Sequence, residues 1–191
     1  MPMACPAAPC QSYTLWLALK LWPASNAGLA SGPGLATGVV GLALALAGAR
    51  VTLTDLPHIL PLTQLNADTN CPPPCSVSLL PHSWGQDTQQ LLLQAGALDI
   101  ITGADLLYEP TLYPALLDSL LGLMAPHSTA FLAYRKRCRA EEGFKDAAEA
   151  RGLAVEDVPS ALLDPEFRDG AYAVLRLARR DPPCPMDCEP G

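Results

Sequence analysis

The sequence predicts an α/β fold, with helices on both faces of a mostly parallel sheet that has an antiparallel edge. Short apolar runs alternate with helical segments along most of the 191 residues. This alternation is typical of a parallel sheet whose strands are joined by crossover helices. The last two predicted strands have no helix between them, so we expect them to pair antiparallel at one edge of the sheet. The length is sufficient to bury one hydrophobic core.

The predicted elements follow from local composition and from the residues that bound each segment. Apolar and β-branched runs between turn formers predict strands at Arg50–Thr54, Ser76–Leu80, Ala97–Gly103, Thr129–Tyr134, Leu153–Val158 and Ala171–Leu177. Helical patterns and stop signals predict helices at Thr37–Gly48, Leu60–Asp68, Thr88–Ala95, Thr111–Met124 and Ala140–Arg151. In the second helix the predicted apolar positions are Leu60, Leu62, Leu65 and Ala67. Ligands of such folds bind beyond the carboxyl ends of the strands, so functional residues are expected directly after them.

Composition at the two ends predicts a flexible leader at 1–12 and a disordered tail at 181–191, around one domain at 13–180. The seven cysteines are an odd number in a chain of this size, which argues against a secreted disulfide framework. Two CxxxC pairs have no histidine near them, so we do not expect a zinc site. The three histidines are scattered and are expected at surface or capping positions.

The charge balance bears on partners and location. The net charge is −7, from 19 acidic against 12 basic residues, and this disfavours nucleic-acid binding. The apolar run at 38–49 is shorter than the roughly 20 residues that a membrane-spanning helix needs. We therefore expect a cytoplasmic monomer that binds neither nucleic acid nor membrane, although the sequence leaves an organelle transit peptide open.

The strongest local pattern is GPGLATGVVG (32–41), which leads into a helix and then into a strand that ends at Asp55. A glycine-rich turn lets a ligand approach the backbone, and the helix start offers unpaired amides. An acid about twenty residues further on can bind both hydroxyls of a ribose. The glycines at 32, 34 and 38 lack the dinucleotide spacing, which favours an adenosine-type ligand and argues against a nicotinamide-dependent oxidoreductase. An ordinary helix-opening turn with a capping acid explains this motif equally well.

Two further patterns follow strands. GADLLYEP (103–110) places Asp105 and Tyr108 just after a buried strand, where ligand contacts gather. Trp84 follows another strand, and its ring is suited to lie against an adenine. The alternatives are a polar loop with Tyr108 packed on the sheet edge and a tryptophan that covers the core.

These segments together resemble the family-16 seven-β-strand protein-lysine methyltransferases, the methyltransferase-like 21 group. The matching stretches are LWPASNAGLA (21–30), TGVVGLALALAGARVTLTDLPHILPLTQLNADTN (37–70), WG (84–85), DIITGADLLYEPTLYPALLDSL (99–120) and LAYRKRCRAEEGF (132–144). The resemblance extends from about Trp22 to Arg179. It implies a Rossmann-like seven-β-strand methyltransferase sandwich that binds S-adenosylmethionine and methylates lysines on chaperones, ATPases, elongation factors or similar proteins.

The resemblance also implies roles for individual residues. The implied cofactor-binding residues are Trp22, Gly34, Thr37, Gly38, Asp55, Leu56, Trp84 and Ala104. Among these, Asp55 would bind the ribose, Trp84 would lie against the adenine and Ala104 would line the methionine side. Asp105 and Tyr108 match the acid-x-x-Tyr signature beside the substrate lysine, and they are the predicted catalytic pair. Tyr108 would form part of the surroundings of the lysine amine, and Asp105 would position the loop and the cofactor.

The sequence departs from the family where the first strand belongs. Members place a helix and a strand between the WPAS segment and the glycine loop, whereas here LWPASNAGLA runs directly into SGPGLATG. Gly32 and Pro33 stand where the family has an acid and a leucine. The first strand is therefore predicted to be absent or replaced. Three explanations stay open: a mispredicted or alternatively spliced product, which we favour, a degenerate non-catalytic interaction module, or a replacement strand from residues 13–21.

Overall fold

The computed structural model describes residues 15–20, 38–136 and 140–180, with the backbone alone at 15–20. Its strands are β1 Leu15–Lys20, β2 Arg50–Asp55, β3 Ser76–Pro81, β4 Ile100–Ala104, β5 Thr129–Arg135, β6 Leu153–Asp157 and β7 Tyr172–Arg179. Its α-helices are α1 Val39–Leu46, α2 Leu60–Asn70, α3 Gln89–Ala95, α4 Tyr113–Leu123 and α5 Ala140–Ala150. The predicted leader at 1–12 and tail at 181–191 lie outside these described residues.

The strands form one sheet in the order β3-β2-β1-β4-β5-β7-β6. Strands β2 and β3 pair in parallel, as do β4 and β5, while β7 pairs antiparallel with both β5 and β6. Five strands consequently run in one direction, and β1 and β7 oppose them. The predicted antiparallel pairing of the last two strands is confirmed.

Strand β1 lies at the centre of the sheet and runs antiparallel to both of its neighbours. Leu17 is opposite Leu53 of β2 on one side and Thr102 of β4 on the other. A segment that precedes the WPAS stretch thus fills the central position, which is the replacement that the sequence left open. The carboxyl end of β1, Lys20, is paired with Arg50 at the amino end of β2. β1 is the strand before the glycine-rich segment. It therefore ends on the side of the sheet where β2 begins, opposite the side where β2 ends at Asp55.

Hydrophobic residues pack on both faces of the sheet. The smaller cluster joins α1 and α2 to β2, with Val51 and Leu53 fully buried. The larger cluster packs α3, α4 and α5 against the other face, and in it the rings of Tyr113 and Phe144 meet edge to face at 5.2 Å. Ile100 contacts the smaller cluster and its neighbour Ile101 belongs to the larger one, as expected when successive strand residues point to opposite faces. Helices on both faces were predicted and are present.

Some local predictions differ from the structure for identifiable reasons. In α2, Thr63 and Ala67 are buried and Leu65 is 61% exposed, because residues four apart share a helix face and Leu65 lies on the opposite side. Strand β4 begins at Ile100, later than the predicted start at Ala97, because the chain bends at residues 97 and 99. Among the described residues, no helix combines the length and the apolar character that crossing a bilayer requires.

Two helical glycines should respond oppositely to the same substitution. A Cβ at Gly122 in α4 would lie 2.3 Å from Oγ1 and 3.1 Å from Cβ of the buried Thr88, whereas at Gly143 in α5 it would meet nothing within 4 Å. We expect Gly122→Ala to lower the free energy of unfolding by about 1–3 kcal/mol through overpacking. Gly143→Ala should raise it by up to about 1 kcal/mol through helix propensity. Chemical denaturation of the two variants beside the unaltered chain measures both changes. Equal effects would contradict the close approach of Gly122 to Thr88.

Candidate functional site

A cavity of about 240 Å³ opens at the carboxyl ends of β2 and β3. It is lined by Asp55, Leu56, His82, Trp84, Tyr108, Leu112 and Ala115. Four of these, Asp55, Leu56, Trp84 and Tyr108, are residues that the sequence predicts for a cofactor or catalytic site. They come together because β2, β3 and β4 point the same way, so the segments that follow them meet at one edge of the sheet.

Asp55 is the last residue of β2, and its side chain is buried in the wall of this cavity. Its Oδ1 accepts a hydrogen bond of 2.7 Å from the Leu56 backbone N–H. Its Oδ2 is buried and has no hydrogen-bond partner in the described part of the chain. Burial raises the pKa of Asp55 above its ordinary value, while the Leu56 N–H and the nearby His58 lower it in part. Since an unsatisfied buried acceptor costs about 1–3 kcal/mol, a ligand hydroxyl at Oδ2 would recover part of that cost.

Trp84 and Tyr108 supply aromatic surface to the same cavity. Trp84 packs against the larger core cluster and also lines the cavity, so it covers the core, while its place against an adenine stays a prediction. The loop that carries Tyr108 is fixed from behind by Tyr113, whose buried hydroxyl donates a hydrogen bond of 3.0 Å to the Leu107 carbonyl. Glu109 then caps the short helical turn at 110–112 by accepting from the Thr111 N–H. Tyr108 is thereby held at the mouth of the cavity.

Asp105 follows β4 with a left-handed backbone, φ 55°, which residues other than glycine seldom adopt. Its N–H donates a 2.8 Å hydrogen bond to the Ala133 carbonyl of β5, which fixes the turn. Strain of this kind costs about 1–3 kcal/mol and is concentrated at functional sites. Asp105 lies at the same sheet edge as the cavity but is not among the residues that line it.

Two further predicted residues that the structure describes, Ala104 and Gly38, are not among those that line the Asp55 cavity. Ala104 lines a separate groove of about 120 Å³ on the α1 face of the sheet, together with Val40 and Phe131. Gly38 begins α1 with φ 93°, and a Cβ there would lie 3.3 Å from the Leu53 side chain. The predicted residues Trp22, Gly34 and Thr37 lie outside the described residues.

Sequence reasoning missed His82 and Ser119. The prediction of a surface or capping position for His82 is wrong, because its side chain is only 6% exposed and burial lowers its pKa. His82 Nε2 lies 3.0 Å from Ser119 Oγ of α4, and that oxygen also accepts a 2.9 Å hydrogen bond from the Gly85 N–H. The His82 N–H donates to the Asp55 carbonyl at 3.0 Å. This network holds the turn with Trp84 against α4. The available signal was the position of His82, directly after a strand and two residues before Trp84.

The profile of a protein family described as lysine methyltransferase matches residues 29–151, which is more than half of the chain. The chain belongs to this lysine methyltransferase family. The Asp55 cavity and the strained turn at Asp105 are thus features of a family-16 lysine methyltransferase domain.

Individual relatives agree with this assignment. The chain is 42% identical over 111 residues to EEF1A lysine methyltransferase 3 of Mus musculus, a match that covers 58% of this chain and 45% of that protein. It is 34% identical over 150 residues to protein N-lysine methyltransferase METTL21A of Mus musculus, with 78% of this chain and 66% of that protein covered. The matches thus span about half to two thirds of the length of these curated relatives.

A solved structure supports the fold. The TehB-like SAM-dependent methyltransferase from Corynebacterium glutamicum superposes with a TM-score of 0.52 at 16% identity, over 75% of this chain and 76% of that one. At this level of identity the likeness concerns the fold alone. A mostly parallel α/β methyltransferase fold is accordingly confirmed for this lysine methyltransferase family member.

Replacement of the Asp55 carboxyl should alter how stability depends on pH. A carboxyl whose folded-state pKa is raised opposes folding increasingly as the pH rises through that pKa. Asp55→Asn removes this effect, so its melting temperature relative to the unaltered chain should rise between pH 4, near the unfolded pKa of about 3.9, and pH 7. Thermal unfolding of both proteins at the two pH values measures the change. An offset that is the same at both would contradict the burial of an unpaired carboxylate.

Acid should destabilise the domain through His82. A lowered folded-state pKa means that the unfolded chain takes up the proton first, so stability is lost as the pH falls below the unfolded value of about 6.5. In His82→Gln this loss should be smaller, whereas at pH 7.5 the variant should be less stable by about 1 kcal/mol because the hydrogen bond between the imidazole and Ser119 is lost. Urea unfolding at pH 5 and pH 7.5 provides the measurement. His127→Gln, at a largely exposed histidine, is the matched control and should keep the full pH dependence.

Proposed function

We propose that this chain is an S-adenosylmethionine-dependent protein-lysine N-methyltransferase. The observation that carries the proposal is Asp55, whose buried Oδ2 has no partner among the described residues and which lines one cavity with Trp84 and Tyr108 in a member of a lysine methyltransferase family. The proposal includes a protein substrate with a target lysine, a monomeric chain and a cytoplasmic location. The odd cysteine count supports the cytoplasmic location. The acidic net charge supports the absence of a nucleic-acid partner.

The described residues fit the nucleoside part of the cofactor. Asp55 Oδ2 would accept a hydrogen bond from a ribose hydroxyl, and the Trp84 ring offers a face for the adenine. The cavity of about 240 Å³ lies just below the roughly 300–1,000 Å³ typical of pockets for drug-sized ligands, so it suits part of the molecule. The remaining contacts are proposed for Trp22, Gly34, Thr37 and Gly38, with Ala104 on the methionine side.

The chemistry requires little covalent participation by the protein. When bound, S-adenosylmethionine supplies a methyl group that its sulfonium already activates. The chain must hold the lysine amine in line with that group, and such alignment is worth a large part of the barrier. The amine must also arrive unprotonated, against a pKa of about 10.4 in water, and a partly desolvated aromatic wall lowers that pKa. We assign the role of this aromatic wall to Tyr108, and the positioning of the loop to the strained Asp105.

Substrate choice is proposed from the relatives. Proteins named EEF1A lysine methyltransferase 3 from two animals are 42% and 36% identical to this chain over the matched regions. We therefore propose EEF1A as the first substrate to test, ahead of chaperones and ATPases.

A second candidate function is a non-catalytic interaction module. The observation that favours it is the direction of β1, which ends at Lys20 beside the amino end of β2. A strand in that direction does not deliver the glycine-rich segment directly to the edge where Asp55 lies. The fold could then bind a protein partner without binding a cofactor.

Calorimetric titration separates the two candidates. Injection of S-adenosylmethionine and of S-adenosylhomocysteine into the chain should show binding in the micromolar range. Asp55→Asn should weaken it by about 10- to 100-fold, the effect of hydrogen bonds to a charged group. Transfer of a labelled methyl group from S-adenosylmethionine to purified EEF1A should be lost when Tyr108→Ala is combined with Asp105→Ala.

The control variant is Leu93→Ala, which removes a side chain that is 85% exposed and is not among the described residues that line the Asp55 cavity. It should leave both cofactor affinity and methyl transfer unchanged. A folded chain that binds no cofactor would overturn the enzyme proposal in favour of the interaction module. Methyl transfer that survives in the double variant would remove Tyr108 and Asp105 from the catalytic assignment.

A further inference from the structure

A second and larger cavity, of about 740 Å³, opens at the same sheet edge beyond β5. It lies between α5 and the loop that joins β6 to β7. Tyr134 of β5 and Glu141 of α5 lie in its floor, and Asp157, Phe167, Arg168 and Tyr172 are among the residues around it. We refer to this cavity as the α5 cleft. Among the described residues that line the α5 cleft, none is predicted to bind the cofactor or to take part in catalysis.

The floor of the α5 cleft presents two polar side chains that have no direct partner among the described residues. Glu141 is 7% exposed and Tyr134 is 5% exposed. Neither side chain makes a hydrogen bond or an ion pair in the described part of the structure. Burial, with Asp157 and Glu141 nearby, raises the pKa of Tyr134 to about 12, so its hydroxyl remains neutral at physiological pH. A carboxylate buried in this way is strongly stabilised by a cation, because the attraction between charges grows as water is excluded.

Two of the basic side chains around the α5 cleft are already engaged. The Lys145 ammonium binds Asp157 at both carboxylate oxygens, at 2.7 and 2.6 Å. The Arg168 guanidinium donates to two loop carbonyls, those of Leu163 at 2.8 Å and Ala161 at 3.0 Å. Lys136 lies exposed at the rim. Glu141 is thus the carboxylate of the floor that no described cation neutralises.

The rim above this floor is aromatic. Phe167 and Tyr172 meet edge to face at 5.4 Å and are 43% and 42% exposed. Aromatic surface of this kind suits the methylene stem of a lysine or arginine, whose charged end can then reach a carboxylate. The α5 cleft therefore combines an apolar entrance with an anionic floor.

We propose that the α5 cleft binds the cationic end of a lysine or arginine side chain of a partner protein, with the Glu141 carboxylate accepting its N–H groups. The position of the α5 cleft indicates which partner protein supplies this side chain. Ala133, which accepts the Asp105 N–H, immediately precedes Tyr134 in β5, so the floor begins next to the assigned catalytic loop. The bound residue is then a second basic side chain of the substrate protein, close to the target lysine. This role rests on the proposed function, whereas binding of the cation does not.

A pair of probes that differ in charge tests the proposal. The ¹⁵N-labelled full chain is titrated with N-acetyl-L-arginine amide and with N-acetyl-L-citrulline amide, which has nearly the same shape and no charge. The arginine probe should cause saturable shifts in the amide signals of α5 and of the β6–β7 loop. The citrulline probe should bind at least about 10-fold more weakly, the difference expected for a charge-assisted hydrogen bond.

Two glutamate variants complete the experiment. Glu141→Gln should reduce the affinity for the arginine probe to that for the citrulline probe. Glu149→Gln removes the same charge from α5 at a side chain that is 48% exposed and close to Arg180, and it should bind like the unaltered chain. If Glu141→Gln does not fold, the comparison of the two probes on the unaltered chain still decides the question.

Equal affinity for the two probes, shifts confined to other regions, or full binding by Glu141→Gln would each overturn the proposal. No cofactor takes part in this titration. A chain that binds the arginine probe but neither S-adenosylmethionine nor EEF1A would retain the cation site and lose the proposed enzyme function. The opposite result would retain the enzyme and remove the α5 cleft from substrate recognition.

Discussion

The hydrogen bonds that β1 makes to β2 on one side and β4 on the other join the two halves of the sheet. Without a strand in this position, β2 and β4 would both present unpaired backbone groups at open edges, which favour association with other chains. An antiparallel strand satisfies these groups as well as a parallel one does. The reversed direction of β1 therefore preserves the sheet. It also preserves the common edge, by which we mean the side of the sheet where the carboxyl ends of β2, β3, β4 and β5 lie.

That common edge explains why the unfavourable features of the domain are concentrated there. The left-handed Asp105 and the Asp55 oxygen that has no partner among the described residues each reduce stability, and His82 reduces it in acid. All three lie at or just after the end of a strand at this edge. The rest of the domain offsets them through two apolar clusters, one on each face of the sheet. Sites that bind ligands commonly carry such strain, because the groups that satisfy a ligand are left incompletely satisfied without it.

The two cavities at this edge differ in chemistry in a way that fits two ligands. The cavity at Asp55 has aromatic side chains and one acceptor, which suits a nucleoside. The α5 cleft has a buried carboxylate below an aromatic rim, which suits a basic side chain. The turn from Asp105 to Tyr108 reaches the first cavity through Tyr108 and is bonded, at Asp105, to Ala133 of β5, the residue before Tyr134 of the α5 cleft. A protein that methylates a lysine must bring a cofactor and a polypeptide together at such a position.

The sequence by itself determined the alternation of strands and helices, the antiparallel last pair, and the placement of Asp55, Trp84 and Tyr108 after strands. These features depend on local periodicity and on the rule that parallel strands end at one edge, so a single chain is enough to predict them. Tertiary structure decided the direction of β1, the burial of His82 against Ser119, and the meeting of Tyr134 with Glu141. The first two depend on contacts between segments that are distant in the chain, such as His82 and Ser119. The third depends on how α5 packs against the sheet. Local composition carries no record of which distant segments will pack together, because packing is fixed only when the whole sheet and its helices assemble.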